Sequence, residues 1–266
     1  MLHKENDNNE KTIKDITSDD LKQYLFDVAK EYRRLTKKKM PAEIVLIGGA
    51  AILTNYGFRD LTNDVDAIIL ASSLMKDAIR HVSDKYSLPR DWLNDAFIKS
   101  KSFSQRLVGI SKYHRTYSNV VQIRIVKGEY LAAMKLLSGR RYKYDLSDIV
   151  GIFWEQEKNG EPISIEDVYG AISYLYGEDI ELPESSQKIL KRISLTDDYE
   201  ALYHEIRKEE IESRKILLEF QENNPVRIRG LDINEVINEG LRRNEENEER
   251  WVALLESVEK GEFPYV

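Results

Sequence analysis

An uninterrupted apolar run, Ile44-Val45-Leu46-Ile47, ends on Gly48-Gly49, and Asp64-Val65-Asp66 follows fifteen residues after Gly49. The run reads as a buried strand feeding a glycine turn, and Ala50-Ala51-Ile52-Leu53 reads as the helix that the turn opens. Val65, Ala67, Ile68, Ile69 and Leu70 surround the two aspartates as a second buried strand. A strand has a side-chain period of two, so Asp64 and Asp66 share a face. Two carboxylates side by side repel unless a cation lies between them. Mg²⁺ is commonly held by one or two carboxylates together with substrate phosphates. A glycine turn at a helix start presents backbone N–H groups to phosphate with no Cβ in the way. A phosphate cradle beside a metal-binding acid pair points to nucleotide chemistry.

The 266 residues suffice for one large domain or two small ones, and 41% hydrophobic content can bury a core. The absence of cysteine excludes disulfides and thiolate zinc sites and fits a reducing compartment, so a cytoplasmic location is expected. No apolar run approaches the length of a membrane span, and no membrane partner is expected. Residues 1–15 read as a disordered polar lead with no signal-peptide apolar region. The net charge is −7, but from Lys99 to Lys143 eleven Lys or Arg stand against the single acid Glu129. That segment carries +10 and the rest −17. A basic field inside an acidic chain suits an anionic ligand such as a nucleotide or an RNA end; the alternative is a solvated basic face.

The remaining pattern divides the chain into a βα-alternating block, 16–180, and a charged helical region, 181–266. Thr17-Ser18-Asp19-Asp20 caps a first helix that Lys37-Lys38-Lys39 and Pro41 stop. Ser73–Tyr86 reads as helix, and Pro89–Asp95 as a short helix opened by proline. Arg106–Tyr113 and Asn119–Val126 read as strands. Glu129–Ser138 reads as a helix closed by Gly139, followed by helices from Asp145 and from Ser164-Ile165-Glu166-Asp167. Thr196–Asn223 reads as a long charged helix broken at Pro225. Asp232-Ile233-Asn234-Glu235 resembles a capping box before a second charged helix, to about Lys260, giving a helical hairpin. The runs Lys208-Glu209-Glu210 and Glu245–Glu249 read as solvated faces.

Strand–Gly-Gly–helix followed by Asp-hydrophobic-Asp resembles the polymerase-β-type nucleotidyltransferase superfamily. Leu46-Ile47-Gly48-Gly49-Ala50-Ala51, then Arg59, Thr62 and Asp64-Val65-Asp66, resemble more narrowly the DUF6036 and AbiEii-like groups, which include toxins of toxin–antitoxin pairs. Trp92-Leu93-Asn94, Glu129 to Arg140 and Asp145-Leu146-Ser147-Asp148-Ile149 extend the resemblance, over roughly Glu43 to Gly177. It implies an α/β fold, a small mixed sheet with flanking helices. It also implies Mg²⁺-dependent transfer of an NMP from an NTP to an RNA 3′ end, tRNA among the candidates, or to a protein hydroxyl. Asp64 and Asp66 would hold Mg²⁺. Gly48 and Gly49 would cradle phosphates, and Lys135 would meet the triphosphate as a point charge. Arg59 and Arg140 would neutralise charge, and Asp145 would support the metal, Lys135 or the acceptor.

Each of these residues also has a structural reading. Lys135 could snorkel from an apolar helix, Asp145 and Asp148 could cap a helix start, and Arg59 could pair with Asp60 or Asp64. His81 and His114 have no metal-ligand spacing, and Trp92 reads as core or pocket wall. The chain departs from the superfamily pattern in carrying Gly49 where many members have serine. The strand Val120–Ile125 offers Gln122 and Arg124 where the classical enzymes place a third carboxylate; Asp145 or Asp95 are the substitutes. A degenerate fold that binds a nucleotide or partner is therefore the second reading. Its charged hairpin would meet an antitoxin-like protein or a second copy of the chain. A kinase-like transferase is disfavoured, since neither Gly-x-x-x-x-Gly-Lys nor His-Arg-Asp occurs.

Overall fold

Burial of Ile44–Ile47, with no side chain of the four more than 0% exposed, fixes the centre of the molecule. The computed structural model describes residues 15–223 and 233–259. The polar lead over 1–14, the break at Pro225, the start of the capping box at Asp232 and the side chain of Trp251 lie outside what is described. Strand β2 (Ala42–Leu46) sits in a five-stranded sheet with β4 (Val65–Leu70), β5 (Leu93–Asn94), β6 (Lys112–Tyr117) and β7 (Val121–Ile125), in the order β5-β4-β2-β7-β6. Strand β2 runs antiparallel to β4 and parallel to β7, so the sheet is mixed as expected. A two-stranded pair, β1 (Ile16–Thr17) with β3 (Leu61–Thr62), ties the start of the described chain to the loop before Asp64.

The register sets where chemistry can occur. Leu46 lies opposite both Ala67 and Ile125, so the glycine turn, the acid pair and the end of β7 meet at one end of the sheet. Lys112 lies opposite Ile125, which brings the start of β6 to the same end. Helix α2 (Gly48–Asn55) leaves this end directly after β2. Helix α5 (Gly128–Ser138) leaves it just after β7.

Helices α1 (Ser18–Leu35) and α3 (Leu74–Tyr86) pack on each other, and α1 opens with the expected capping box between Thr17 and Asp20. Helix α6 (Asp145–Lys158) packs on α5, and α7 (Ile165–Tyr176) packs on α5 as well. In the C-terminal region α8 (Glu184–Leu195) touches α6. The long α9 (Tyr199–Asn223) lies along α6 and against α10 (Ile233–Glu259).

Three local expectations are corrected. Pro89–Asp95 is a turn entering β5, because the free edge of β4 pairs with Leu93 and Asn94 and outweighs the helical start signal. Arg106–Tyr113 is not one strand: Leu107–Ile110 forms a single helical turn, α4, and β6 begins at Lys112, where β7 supplies a partner. The sequence reading also passed over α8, although Ser186, Ile189, Leu190 and Ile193 follow helical spacing after Pro183 and are buried.

Two helical glycines test this packing. A Cβ on Gly151 of α6 would stand 2.6–2.7 Å from ring carbons of Phe58, whereas one on Gly170 of α7 would meet nothing within 4 Å. Gly151→Ala is expected to lower stability by about 1–3 kcal/mol through overpacking. Gly170→Ala should raise it by roughly 0.5–1 kcal/mol through backbone entropy. Urea midpoints of the two variants check both signs.

Candidate active site

The turn between β2 and α2 needs glycine twice, for different reasons. Gly48 has φ +53°, a left-handed conformation that glycine adopts without penalty. Gly49 faces a close approach: a Cβ there would lie 2.8 Å from Thr62 Oγ1 and 2.9 Å from Arg59 Nη2. The residue before the helix, Ile47, makes no side-chain cap, so the first-turn N–H groups of α2 are left for another acceptor.

The acid pair stands beside this turn. A Cβ on Gly48 would be 3.6 Å from Asp66 Oδ2. Thr62 Oγ1 donates to the Asp64 carbonyl at 3.0 Å and holds the chain just before β4. Asp64 is exposed and Asp66 half-buried. Burial, with the Asp64 carboxylate beside it, pushes Asp66 up to about 6; Arg140, Lys135 and Lys143 pull the other way. The two carboxylates supply hard oxygen donors of the kind Mg²⁺ takes, with phosphate and water completing the shell. Among the described residues no group of three His, Cys, Asp or Glu could hold a metal. On β7, Gln122 is exposed, and Arg124 donates from Nε to Ser111 Oγ at 2.9 Å.

Behind the pair runs a chain of ions, buried except at Arg140. Lys135 on α5 is 8% exposed. Its Nζ lies 3.1 Å from Asp145 Oδ1 and 2.8 Å from Asp148 Oδ2. Both aspartates are on the first turn of α6. Arg140 Nε meets Asp145 Oδ2 at 2.7 Å, and Arg59 Nη1 meets Asp148 Oδ2 at 2.5 Å. The order is Arg59–Asp148–Lys135–Asp145–Arg140. Burial alone would raise Asp145, but Lys135 and Arg140 outweigh it and hold the carboxyl below its ordinary value. Burial likewise opposes the Lys135 charge, and Asp148 and Asp145 overcome it, raising the ammonium above its ordinary value.

The eight candidates, Gly48, Gly49, Arg59, Asp64, Asp66, Lys135, Arg140 and Asp145, thus form two connected layers: acids and glycines in front, ion pairs behind. Two structural readings are corrected. Lys135 does not snorkel, because two carboxylates hold its ammonium inside. Arg59 pairs with Asp148, eighty-nine residues away, and not with Asp60 or Asp64. Trp92 is 1% exposed, edge-on to Tyr24 in the core. His81 bonds Glu31, and burial lowers His114; neither histidine joins the site.

Sequence reading missed Glu210. The run Lys208-Glu209-Glu210 reads as a solvated face, yet Glu210 is 1% exposed and accepts from the backbone N–H of Leu146 at 2.8 Å. The signal was its helical spacing from Leu202, Tyr203, Ile206, Ser213 and Ile216, all on the buried stripe of α9.

Lys135→Met is expected to cost about 3 kcal/mol at pH 7, because it removes the cation between two buried carboxylates and leaves them only Arg140 and Arg59. Asp145, held below its ordinary value, stabilises the wild type above the unfolded carboxylate range and loses that contribution as pH falls through its lowered value. In the variant, protonation removes the stranded charge, so the deficit should narrow on acidification. Urea unfolding at pH 7 and pH 5 measures it.

Comparison with known proteins finds one family match. Residues 23–153, which hold the whole site layer from the glycine turn to Asp148, match the family model described as nucleotidyltransferase of unknown function, DUF6036. No curated protein and no solved structure matches the chain.

Proposed function

From the nucleotidyltransferase-family domain that residues 23–153 make up, we propose Mg²⁺-dependent transfer of an NMP from an NTP to the 3′ hydroxyl of an RNA. The observation that carries this reading is the placement of Asp66 beside Gly48 at the start of β4, with Asp64, Arg140, Lys135 and Lys143 around it. A repelling acid pair with Asp66 half-buried, next to free helix N–H groups and cations, favours a metal–polyphosphate ligand. Asp64 and Asp66 would hold Mg²⁺, which when bound supplies Lewis-acid neutralisation of phosphate charge.

The chain's own residues account for the rest. First-turn N–H groups at Gly48 and Gly49 take phosphate oxygens. Arg140, half-exposed, reaches the ligand while Asp145 fixes its fork. Lys135, bound between Asp145 and Asp148, contributes fixed positive potential with little reorganisation. The acceptor hydroxyl oxygen bonds to the α-phosphorus as the bond from that phosphorus to pyrophosphate breaks. Pyrophosphate leaves with the bonding pair, and the hydroxyl proton passes to water.

Charge distribution supports RNA over a protein hydroxyl. Of the eleven cations from Lys99 to Lys143, Lys135 and Arg140 alone form salt bridges with an acid among the described residues. Edge strand β6 exposes Lys112, Tyr113, His114 and Arg115, and its first residues lie at the site end of the sheet. Interleaved cations and exposed rings suit an unpaired strand, through phosphate attraction and base stacking. A toxin role, with an antitoxin-like partner, follows from the family resemblance and belongs to this same reading.

Incubation with α-³²P-labelled NTPs, Mg²⁺, total RNA and protein extract tests it. Label on RNA from wild type, and none from Asp64→Ala/Asp66→Ala, is expected. Label on protein would move the acceptor to a protein hydroxyl. No label from folded wild type would overturn transfer and favour a nucleotide- or partner-binding module. Independently, Asp66→Asn should abolish transfer yet raise thermal stability by about 1 kcal/mol, since it removes a like-charge repulsion from a partly buried position. Calorimetry reads that rise.

A further inference from the structure

Glu210 lies outside the family-matched segment, on α9, and its carboxyl is enclosed against the N-terminus of α6. It accepts from the N–H groups of Leu146 at 2.8 Å and Ser147 at 3.3 Å. These are two of the orphan donors that begin a helix, and Tyr144 at the cap position supplies no side-chain bond to them. The neighbours on α9 grip the same turn. The Arg207 guanidinium lies 3.5 Å from the centre of the Tyr144 ring and donates to Ser147 Oγ at 3.4 Å. Arg214 Nη1 meets the Tyr144 hydroxyl at 3.4 Å. On the other side, the Tyr203 hydroxyl donates to the Phe58 carbonyl at 2.9 Å, one residue before Arg59. Helix α9 therefore holds both chain segments that meet in the Arg59–Asp148 pair.

We propose that Glu210 is a positioning residue of the site: by capping α6 it fixes Asp145 and Asp148, and through them Lys135, Arg140 and Arg59, so that the seating of α9 governs whether these cations stand in place. Asp145 and Asp148 both project from the first turn of α6, and Tyr144 gives that turn no side-chain cap. Burial pushes the Glu210 carboxyl up to about 8, against the bonds from α6 and with the charge of Asp148 adding to the rise. A neutral carboxyl still offers its carbonyl oxygen to Leu146, so Glu210→Gln preserves the cap. Only the nucleotide measurement below rests on the function proposed above; the positioning stands or falls by itself.

The test is brief acetylation of the folded full chain with acetic anhydride, read lysine by lysine by mass spectrometry. Lys135 is buried between its two aspartates, while Lys30 and Lys76, on α1 and α3, are exposed and serve as internal references. Losing the cap from a buried helix start should raise Lys135 labelling about fivefold or more in Glu210→Ala, with the references unchanged. Glu210→Gln should stay near wild type. Wild-type labelling of Lys135 in folded Glu210→Ala overturns the proposal. If circular dichroism shows that variant unfolded, Arg207→Gln replaces it, since it removes the grip on Tyr144 and leaves the buried carboxyl in place. A several-fold rise there supports the proposal and no rise overturns it. Equilibrium dialysis of ATP with Mg²⁺ separates the two readings: binding lost in Glu210→Ala and restored in Glu210→Gln joins them. A wild type that binds no nucleotide, with Lys135 labelling still raised by Glu210→Ala, sinks the proposed function and leaves the positioning role standing.

Discussion

Lys135 carries a full positive charge inside the protein because Asp145 and Asp148 meet it at 3.1 and 2.8 Å. Desolvating an ammonium costs several kcal/mol, and only close, hydrogen-bonded counter-charges offset it. Much of the surrounding structure serves this exchange. Helix α5 delivers the lysine, α6 begins with both aspartates, and Arg59 and Arg140 close the two ends of the ion chain. The network is not fully satisfied: Asp148 Oδ1 has no hydrogen-bond partner among the described residues. Such a buried cluster contributes less stability than an apolar core of the same volume, so its presence at one end of the sheet marks a place where position of charge matters more than energy of packing.

The layer in front shows the same preference. Asp64 and Asp66 repel across one strand face, and burial makes the repulsion costlier for Asp66. Gly48 and Gly49 give up conformational entropy to hold a left-handed turn and a close approach to Arg59 and Thr62. Natural sequences keep such locally unfavourable choices where a ligand compensates them. The cations behind the acids set a potential that attracts an anion, while the acids set one that attracts a metal. In the proposed function a metal-bound polyphosphate would answer both.

The helices that follow the family-matched segment are not simply appended to it. Helix α9 lies along α6, and its Tyr203, Arg207, Glu210 and Arg214 all reach the chain segments that hold the buried ions. The spacing of four, three and four residues keeps these side chains on one face of the helix. A polar stripe thus replaces part of the apolar stripe where α9 crosses the start of α6. The apolar remainder, Leu202, Ile206 and Ile216, supplies the burial that keeps the polar contacts dry.

The sequence by itself determined the strand–glycine–helix–strand order, the βα alternation, and the nearness of Asp64 to Asp66 along the chain. All of these rest on local periodicity and on residues within a few positions of one another. The family resemblance also marked Lys135, Arg140 and Asp145 as candidates. Tertiary structure alone decided that Arg59 belongs to Asp148 and that Lys135 is locked inside. It also decided that Leu93-Asn94 is a strand and not a helix, because a partner edge lay within reach. Glu210 shows the division most plainly. Its neighbours Lys208 and Glu209 make the run look solvated, and only the crossing of α9 over α6 turns that one carboxyl inward to two backbone donors. Local pattern reports which face a residue takes; which distant charge or donor meets it is fixed only when the chain closes on itself.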